Sequence, residues 1–325
     1  PFTQVRLRGH AVEARIYAED PTRDFLPSAG RLLAVREPAG PHVRVDSGVE
    51  DGTVVGTDYD PMLAKVIAWG SNRATAVRVL NQALGDTAVL GVQTNTALLR
   101  RLLSDPDVAT GRLDTGLVER RLEMLGTDRP PVAVYVAAAL LWHEPAGDDL
   151  FTRLTGWRVG EHAWTPYRVH VSGSDPIEVS VRGSGEVVVG DEAPAAAALR
   201  CDGDDLWLRY AGRSHHFVFA RDGATLWLGR DGMAWEVRPE ERAGDAAPEA
   251  ASSDGTVRSP MPGTVAAVPV AAGDRVSAGA ALAVVEAMKM EHVLTAPFGG
   301  TVAELRARAG QVVAMDEVLV VVRAD

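Results

Sequence analysis

Residues 259–265 read SPMPGTV and residues 296–302 read APFGGTV, and this recurrence decides the fold of the last part of the chain. Thr264 and Thr301 are 37 residues apart. Further pairs at the same spacing are Gly273 with Gly310 and Leu282 with Leu319. A short repeat with glycine at its tight turns predicts two copies of a four-strand unit. Residues 255–325 are therefore predicted to form an all-β flattened sandwich with quasi-two-fold symmetry.

A lysine lies where the first copy ends and the chain turns back toward the second. The local sequence is EAMKM, with Lys289 between Met288 and Met290. A lysine on a turn, considered by itself, is usually a solvated surface charge. Exposed apolar neighbours are harder to explain by packing and are typical of interaction sites. We therefore predict a modified lysine at a hairpin tip, in an attachment segment that consists of Glu286, Ala287, Met288, Lys289 and Met290.

Composition and charge exclude several classes of protein. The 325 residues, 46% hydrophobic and 24% charged, are typical of two or three globular domains. A net charge of −11 argues against a nucleic-acid partner. The only cysteine is Cys201, which leaves no internal disulfide, favours the cytoplasm and excludes a cysteine-based zinc site. The longest apolar run, Val132 to Trp142, is too short to cross a membrane. Neither a metal site nor a membrane partner is predicted.

The composition also divides the chain into domains. Residues 1–127 combine short strands with two amphipathic helices, at Arg73–Leu84 and Thr94–Leu103, and predict an α+β domain. Residues 130–242 carry short aromatic and β-branched runs between glycine turns, and predict an antiparallel meander that closes into a small barrel or sandwich. The apolar run at its start, Val132 to Trp142, predicts a buried helix or strand. Residues 243–254 lack bulky apolar side chains and predict a flexible linker to the domain at 255–325.

The segment around Lys289 resembles the biotin carboxyl carrier domain. The resemblance rests on EAMKM, on the turn SPMPG at residues 259–263, and on the length of chain after the lysine. It implies that a biotin protein ligase attaches biotin covalently to Lys289. Lipoyl domains share the fold and the hairpin lysine but usually have Asp-Lys-Ala there, so the flanking methionines favour biotin.

Residues 8–21, RGHAVEARIYAEDP, resemble the C-terminal subdomain of biotin carboxylase, with further matches at residues 25–27, 59–62 and 90–95. The resemblance implies that Arg15 stabilises the negative charge that develops on the ureido oxygen of biotin. A guanidinium suits this task because it stays charged and offers a planar fork of donors. A surface ion pair is the alternative for an arginine considered alone. The resemblance also places Arg44 at a dimer interface and Thr115 at the position that packs on adenine.

Residues 130–242 resemble, by position and pattern, the domain that contacts the carboxyltransferase β subunit in acyl-CoA carboxylase α subunits. The resemblance implies a helix at Val132 to Trp142 followed by an antiparallel barrel. The three resemblances together imply that the chain is part of the α subunit of a hetero-oligomeric acyl-CoA carboxylase. An ATP-grasp half, expected upstream of Pro1, would use ATP, bicarbonate and Mg to carboxylate biotin on Lys289. A carboxyltransferase β subunit would then carboxylate acetyl-, propionyl- or 3-methylcrotonyl-CoA.

Three other functions are alternatives to this prediction. The first is a pyruvate-type keto-acid carboxylase. Such an enzyme needs a TIM-barrel carboxyltransferase of at least about 200 residues, which is longer than the region at residues 130–242. A non-catalytic biotin carrier and assembly module is the second alternative. The third is a lipoyl-bearing transacylase, against which the methionines argue. The neighbours His215 and His216 face opposite ways on a predicted strand, so a metal pair is not predicted there.

Overall fold

A computed structural model describes most of the chain, namely residues 8–56, 59–122, 129–143, 163–183, 185–240, 255–288 and 290–324. The chain divides into two compact units. The described residues of the first unit are 8–16, 32–53, 63–122, 129–143, 163–183 and 185–240, and those of the second are 17–31, 54–56, 59–62, 255–288 and 290–324. The predicted linker at residues 243–254 lies outside the described residues.

The first domain, residues 1–127, is α+β as predicted. Its described strands are β1 (His10–Tyr17), β2 (Glu19–Asp20), β3 (Leu26–Pro27), β4 (Gly30–Arg31), β5 (Ala34–Arg36), β6 (Val43–Ser47), β7 (Val54–Val55), β8 (Met62–Gly70) and β9 (Ala88–Leu90). Its described helices are α1 (Arg73–Asp86), α2 (Thr96–Ser104), α3 (Pro106–Thr110) and α4 (Leu117–Leu122). The strand order in its three-stranded sheet is β1-β8-β6.

Both predicted helices of this domain are present. Helix α1 starts at the predicted residue because the side chain of Asn72 accepts a hydrogen bond from the backbone N–H of Thr75, which caps the first turn. The apolar stripe that predicted this helix is buried, and consists of Ala76, Val77, Leu80, Ala83 and Leu84. Strands β4 and β5 are close in sequence but belong to different sheets, since β4 pairs with β7 whereas β5 pairs with β9.

The middle domain is a closed antiparallel barrel with a helix in its core. Its strands are β10 (Thr165–Val171), β11 (Ile177–Arg182), β12 (Glu186–Val189), β13 (Ala195–Asp202), β14 (Asp205–Tyr210), β15 (Arg213–Asp222), β16 (Thr225–Arg230) and β17 (Met233–Pro239). Helix α5 (Val132–His143) is buried throughout from Ala133 to Leu141 and forms one cluster with the inward-facing side chains of the barrel, such as Phe217. A helix that is apolar on every side is stable only where every side is covered, and the barrel supplies that cover.

The last domain is the predicted all-β sandwich. Its strands are β18 (Thr256–Arg258), β19 (Gly263–Ala267), β20 (Arg275–Val276), β21 (Ala281–Ala287), β22 (Met290–Thr295), β23 (Gly300–Leu305), β24 (Val312–Val313) and β25 (Val318–Arg323). They form two four-stranded sheets, in the orders β18-β25-β23-β20 and β22-β21-β19-β24.

The register of these sheets repeats the 37-residue spacing of the sequence. Thr264 pairs with Glu286, and the residues 37 positions later, Thr301 and Arg323, also pair. A register shift follows at the same place in both copies, after Val265 and after Val302. Each sheet takes strands from both copies, so neither half of the sequence forms a sheet by itself.

Two glycines at equivalent positions of the repeat lie where strands of the sandwich approach each other closely. A Cβ on Gly263 would lie 2.6 Å from the carbonyl oxygen of Glu286, and a Cβ on Gly300 would lie 2.1 Å from that of Arg323. The neighbouring atoms are backbone, which cannot turn away as the end of a side chain can. Glycine is therefore required at these two positions by close approach of the strands.

Replacing Gly300 by alanine is expected to lower the stability of the last domain by about 1–3 kcal/mol, because the added methyl group overpacks a backbone contact. The matched control is Gly299→Ala, since a Cβ there makes only ordinary contacts of 3.6 Å or more. Calorimetry of the whole chain measures both variants. Equal shifts in the melting temperature would show that the close approach at Gly300 is not limiting.

Candidate functional site

The predicted hairpin is formed by β21 and β22. Ala287 pairs with Met290, which leaves Met288 and Lys289 as the two residues between the strands. Met288 has a φ of +48°, in the left-handed region that tight hairpin turns require. Lys289 itself lies outside the described residues. The turn on which the lysine was predicted is therefore present.

The two methionines differ in exposure. Met290 is 38% exposed, as predicted, but Met288 is only 4% exposed. The prediction that both side chains are exposed was wrong for Met288. The physical reason lies in the turn, because a residue with positive φ does not follow the alternation of the strand before it. Of the two flanks, Met290 is the side chain that a partner enzyme can contact at the surface.

Two glutamates face each other beside the turn. Glu286 was predicted as part of the attachment segment, and its cross-strand partner is Glu291, which the sequence analysis missed. Both are exposed. Like charges directly opposite on a sheet are destabilising, so this pair is not there for stability. The signal for Glu291 was available, since a two-residue turn at 288–289 makes residues 286 and 291 neighbours.

The inner side of the hairpin is anchored in the core. Val285 and Ala287 are buried in the sandwich cluster, together with Met261 from the upstream SPMPG turn. The hydroxyl of Ser259, a buried polar group, donates to the carbonyl oxygen of Met261 at 2.6 Å. The strand that carries the turn is thus anchored by core packing and lies beside a hydrogen-bonded SPMPG turn. This arrangement suits a fixed base for a covalently attached group.

Only two lysines occur in the chain, Lys65 and Lys289. Lys65 lies on β8, in the middle of a sheet, with its Nζ 3.4 Å from Oδ2 of Asp46. An amine in an ion pair on a regular strand is less accessible to a modifying enzyme than one on a turn. Lys65 therefore lacks the local structure expected of an attachment point.

Arg15 lies on the exposed face of β1. Its side chain is 60% exposed, and its Nε donates to Oε1 of Glu13 at 2.9 Å. Glu13 is two residues earlier and so lies on the same face of the strand. An exposed pair of this kind contributes little to stability. Arg15 belongs to the first compact unit and the hairpin to the second.

Arg44 and Thr115, which the sequence analysis also singled out, are both at the surface. Arg44 is exposed on β6 and pairs with Asp46 at 2.8 Å. Thr115 is exposed between α3 and α4. In the described residues, no group of three or more His, Cys, Asp or Glu side chains is placed to hold a metal ion. None of the described helices is long and apolar enough to cross a membrane.

The adjacent histidines face opposite ways, as predicted. His216 hydrogen-bonds to Oδ1 of Asp205 at 2.6 Å, whereas His215 contacts Nη1 of Arg230 at 2.9 Å. Burial, together with the charges of Arg230 and Arg213, lowers the pKa of His215. This environment favours a neutral His215 that accepts a hydrogen bond from Arg230.

Three family models match the chain in succession. The biotin carboxylase C-terminal domain matches residues 13–120, and the BT domain of the methylcrotonyl-CoA carboxylase alpha subunit matches residues 131–242. The model described as biotin-requiring enzyme matches residues 255–322. Each of the three segments distinguished in the sequence thus corresponds to one known domain type.

Curated relatives match these domains together. The mitochondrial methylcrotonoyl-CoA carboxylase subunit alpha of Arabidopsis thaliana is 31% identical over 88% of this chain and 46% of its own length. The propionyl-CoA carboxylase alpha chain of Ruegeria pomeroyi is 32% identical over 88% of this chain and 47% of its own length. The mitochondrial methylcrotonoyl-CoA carboxylase subunit alpha of Dictyostelium discoideum is 28% identical over 88% of this chain and 44% of its own length. The chain spans about half the length of these relatives.

Proposed function

Because the chain belongs, domain by domain, to the α subunits of biotin-dependent carboxylases, we propose that it carries biotin on Lys289 between a biotin carboxylase site and a carboxyltransferase. The observation that carries this proposal is the combination of the three domains with a single lysine on a two-residue turn. The carboxyltransferase would lie on a separate β subunit, and the assembly would be a hetero-oligomer. A biotin protein ligase would attach the cofactor.

The hairpin fits a covalently attached arm. Its two connecting residues lie at the end of the sheet, the strands beside them are buried on the inner side, and Met290 and Glu286 are exposed next to the turn. An enzyme that attaches biotin can therefore approach the turn without disturbing the core. When bound, biotin supplies the group that takes up a carboxyl unit at one site and gives it up at another.

The proposed role of Arg15 is electrostatic. Its guanidinium would donate hydrogen bonds to an oxygen on which negative charge develops, and donors of this kind contribute most where the charge appears only during the reaction. Glu13 holds Nε, so the planar group is oriented by a neighbour on the same strand. ATP, bicarbonate and Mg would be used by the biotin carboxylase of the complete subunit.

We propose a short-chain acyl-CoA as the final acceptor, because the matched relatives are named for methylcrotonoyl-CoA and propionyl-CoA carboxylation. A pyruvate-type enzyme is disfavoured by the middle domain. Such enzymes use a parallel (β/α)8 barrel, whereas residues 165–239 form an antiparallel barrel around one helix. A pure assembly module is disfavoured by the match of residues 13–120 to a catalytic domain.

The middle domain is proposed to dock the β subunit. In its described part it has no metal-ligand cluster and it lies between a catalytic domain and the carrier. Deleting residues 132–238 from the full α subunit should leave biotin on Lys289 but abolish both co-purification with the β subunit and carboxylation of acyl-CoA. Retained biotin, detected by intact mass, is the internal control for a folded carrier. A deletion variant that still forms a stable complex would place the docking surface elsewhere.

A further inference from the structure

We propose that the barrel and the parts of the first domain that lie in the first compact unit, residues 8–16, 32–53 and 63–122, form one rigid mount joined by a permanent interface, past which the carrier moves. The interface packs β5 and β9 of the first domain against the outer face of β15, β16 and β17. All of these strands lie in the first compact unit. The statement about the carrier rests on the proposed function, whereas the statement about the interface does not.

An apolar cluster forms the centre of the interface. Ala34, Ala88 and Leu90 of the first domain are buried together with Val218 and Trp227 of the barrel. Partly buried residues packed against them are Leu33, Ala220 and Ala234. The ring of Trp227 is thus buried on the outside of the barrel and not in its core. Large apolar side chains that face another domain are typical of an interface that stays closed.

Strand β16 shows the same arrangement in its burial pattern. Its four middle residues, Leu226 to Gly229, are all buried. In a barrel with its outer surface in water, buried and exposed residues alternate along each strand. Here the inward residues Leu226 and Leu228 contact the barrel core, and the outward residues face the first domain. The outer face of this strand is therefore buried in a second apolar cluster, which lies between the barrel and the first domain.

Two glycines let the backbones approach closely. A Cβ on Gly229 would lie 2.9 Å from Cδ2 of Leu90 and 3.6 Å from Cβ of Ala88. A Cβ on Gly232, which has a φ of +74°, would lie 2.7 Å from the carbonyl oxygen of Leu84. Because a side chain at either position would collide with the first domain, the two surfaces are closely complementary in shape.

A charged clamp lies beside the apolar cluster. Nη1 and Nη2 of Arg36 donate to the two carboxylate oxygens of Asp205 at 2.7 Å and 2.9 Å. His216, on the neighbouring strand, holds the same carboxylate from the barrel side. Arg36, with a further hydrogen bond from His216, lowers the pKa of Asp205 to about 2. The carboxylate is therefore charged at neutral pH, and bidentate pairs of this kind fix orientation as well as distance. A further contact joins the Arg100 guanidinium to the carbonyl oxygen of Asp231.

The single cysteine allows a direct test on the whole chain. Cys201 is exposed on β13 of the barrel, and Arg78 is exposed on α1 of the first domain. Spin labels on Cys201 and on Arg78→Cys report the distance between the two domains by pulsed electron paramagnetic resonance. We expect one distance, with a distribution no wider than the label side chains themselves produce. A broad or multiple distribution would overturn the rigid mount.

A variant with a bulky side chain in the interface tests whether these contacts hold the two domains in a fixed arrangement. Gly229→Leu points a side chain into Leu90 from the outer face of the barrel and should broaden the distance distribution. Ala198→Leu, at an exposed position on the outer side of β13, is the matched control and should leave it narrow. The charge clamp gives an independent variant, in which Arg36→Asp broadens the distribution and the double exchange with Asp205→Arg restores it. An unchanged distribution in both Gly229→Leu and Arg36→Asp would show that these contacts do not hold the domains together.

A third label position separates this inference from the proposed function. Thr295 is exposed on β22 of the carrier. Labels on Cys201 and Thr295→Cys should give a broad distribution if the carrier travels. A narrow distribution there, combined with a narrow one for Arg78→Cys, would contradict the travelling carrier and leave the mount intact.

Discussion

Replacing Lys289 by arginine is expected to abolish biotin incorporation and, with it, all carboxylation of acyl-CoA by the complete enzyme. Arginine keeps the positive charge and the length of the side chain, but its guanidinium stays protonated and offers no nucleophilic amine. The substitution therefore tests attachment and not charge. Intact-mass spectrometry after coexpression with a biotin ligase measures incorporation, and labelled bicarbonate measures turnover in the complex with the β subunit.

The small number of lysines in the chain provides a matched control for this experiment. Lys65 is the only other lysine, so Lys65→Arg is the matched control and should keep full incorporation. Its ion pair with Asp46 survives the substitution, because arginine also carries a donor and a charge. Biotin found on Lys65, or a lipoyl group on Lys289, would refute the assignment of the attachment site.

Replacing Arg15 by alanine in the full α subunit is expected to lower the rate of biotin carboxylation by about 100- to 1,000-fold, the usual effect of removing one donor to a developing oxyanion. Arg15→Lys should recover only part of the loss, because an ammonium lacks the planar fork. The binding of ATP should change little, since Arg15 is proposed to act on biotin. Initial rates with free biotin, together with ATP titrations, separate the two effects.

The control for this variant is Arg78→Ala, which removes an exposed arginine from helix α1 of the same domain. It should leave both rate and ATP binding unchanged. If Arg15→Ala weakened ATP binding while turnover per bound ATP stayed normal, Arg15 would have a structural role. The exposed pair with Glu13 predicts no large loss of folding stability in either variant.

The sequence predicted those parts of the fold whose signals are local. The 37-residue repeat and its turn glycines were sufficient for the carrier sandwich, and the glycine turns at 212, 223 and 232 were sufficient for strands β14 to β17. Strands β10 to β13 were not predicted, because segments such as Ala195–Asp202 are rich in alanine and lack a strong β pattern. That α5 lies inside the barrel follows from long-range packing, although its uniformly apolar sequence predicted burial.

In the candidate site, too, the features with a local sequence signal were predicted and the others were not. The turn at Lys289 was predicted from the sequence, because the motif and the end of the repeat coincide there. The burial of Met288 was not, since it depends on one backbone angle. The interface between the first domain and the barrel was also missed, because Arg36 and Asp205 are 169 positions apart in the sequence. Pairs of this kind leave no periodic signal in a single sequence.

The interleaved strands of the carrier determine when it can fold during synthesis. Strand β18 stays unpaired until β25 has been made, because Thr256 pairs with Val321. At roughly 5–20 residues per second, the ribosome needs several seconds to add that length of chain. The first copy of the repeat therefore leaves the ribosome without its partners, and Lys289 is translated before the sheets around it can close. If biotin is attached to Lys289 as proposed, a ligase that recognises the folded turn would act only after the last strand has emerged, and we expect attachment to be a late step in the maturation of this chain.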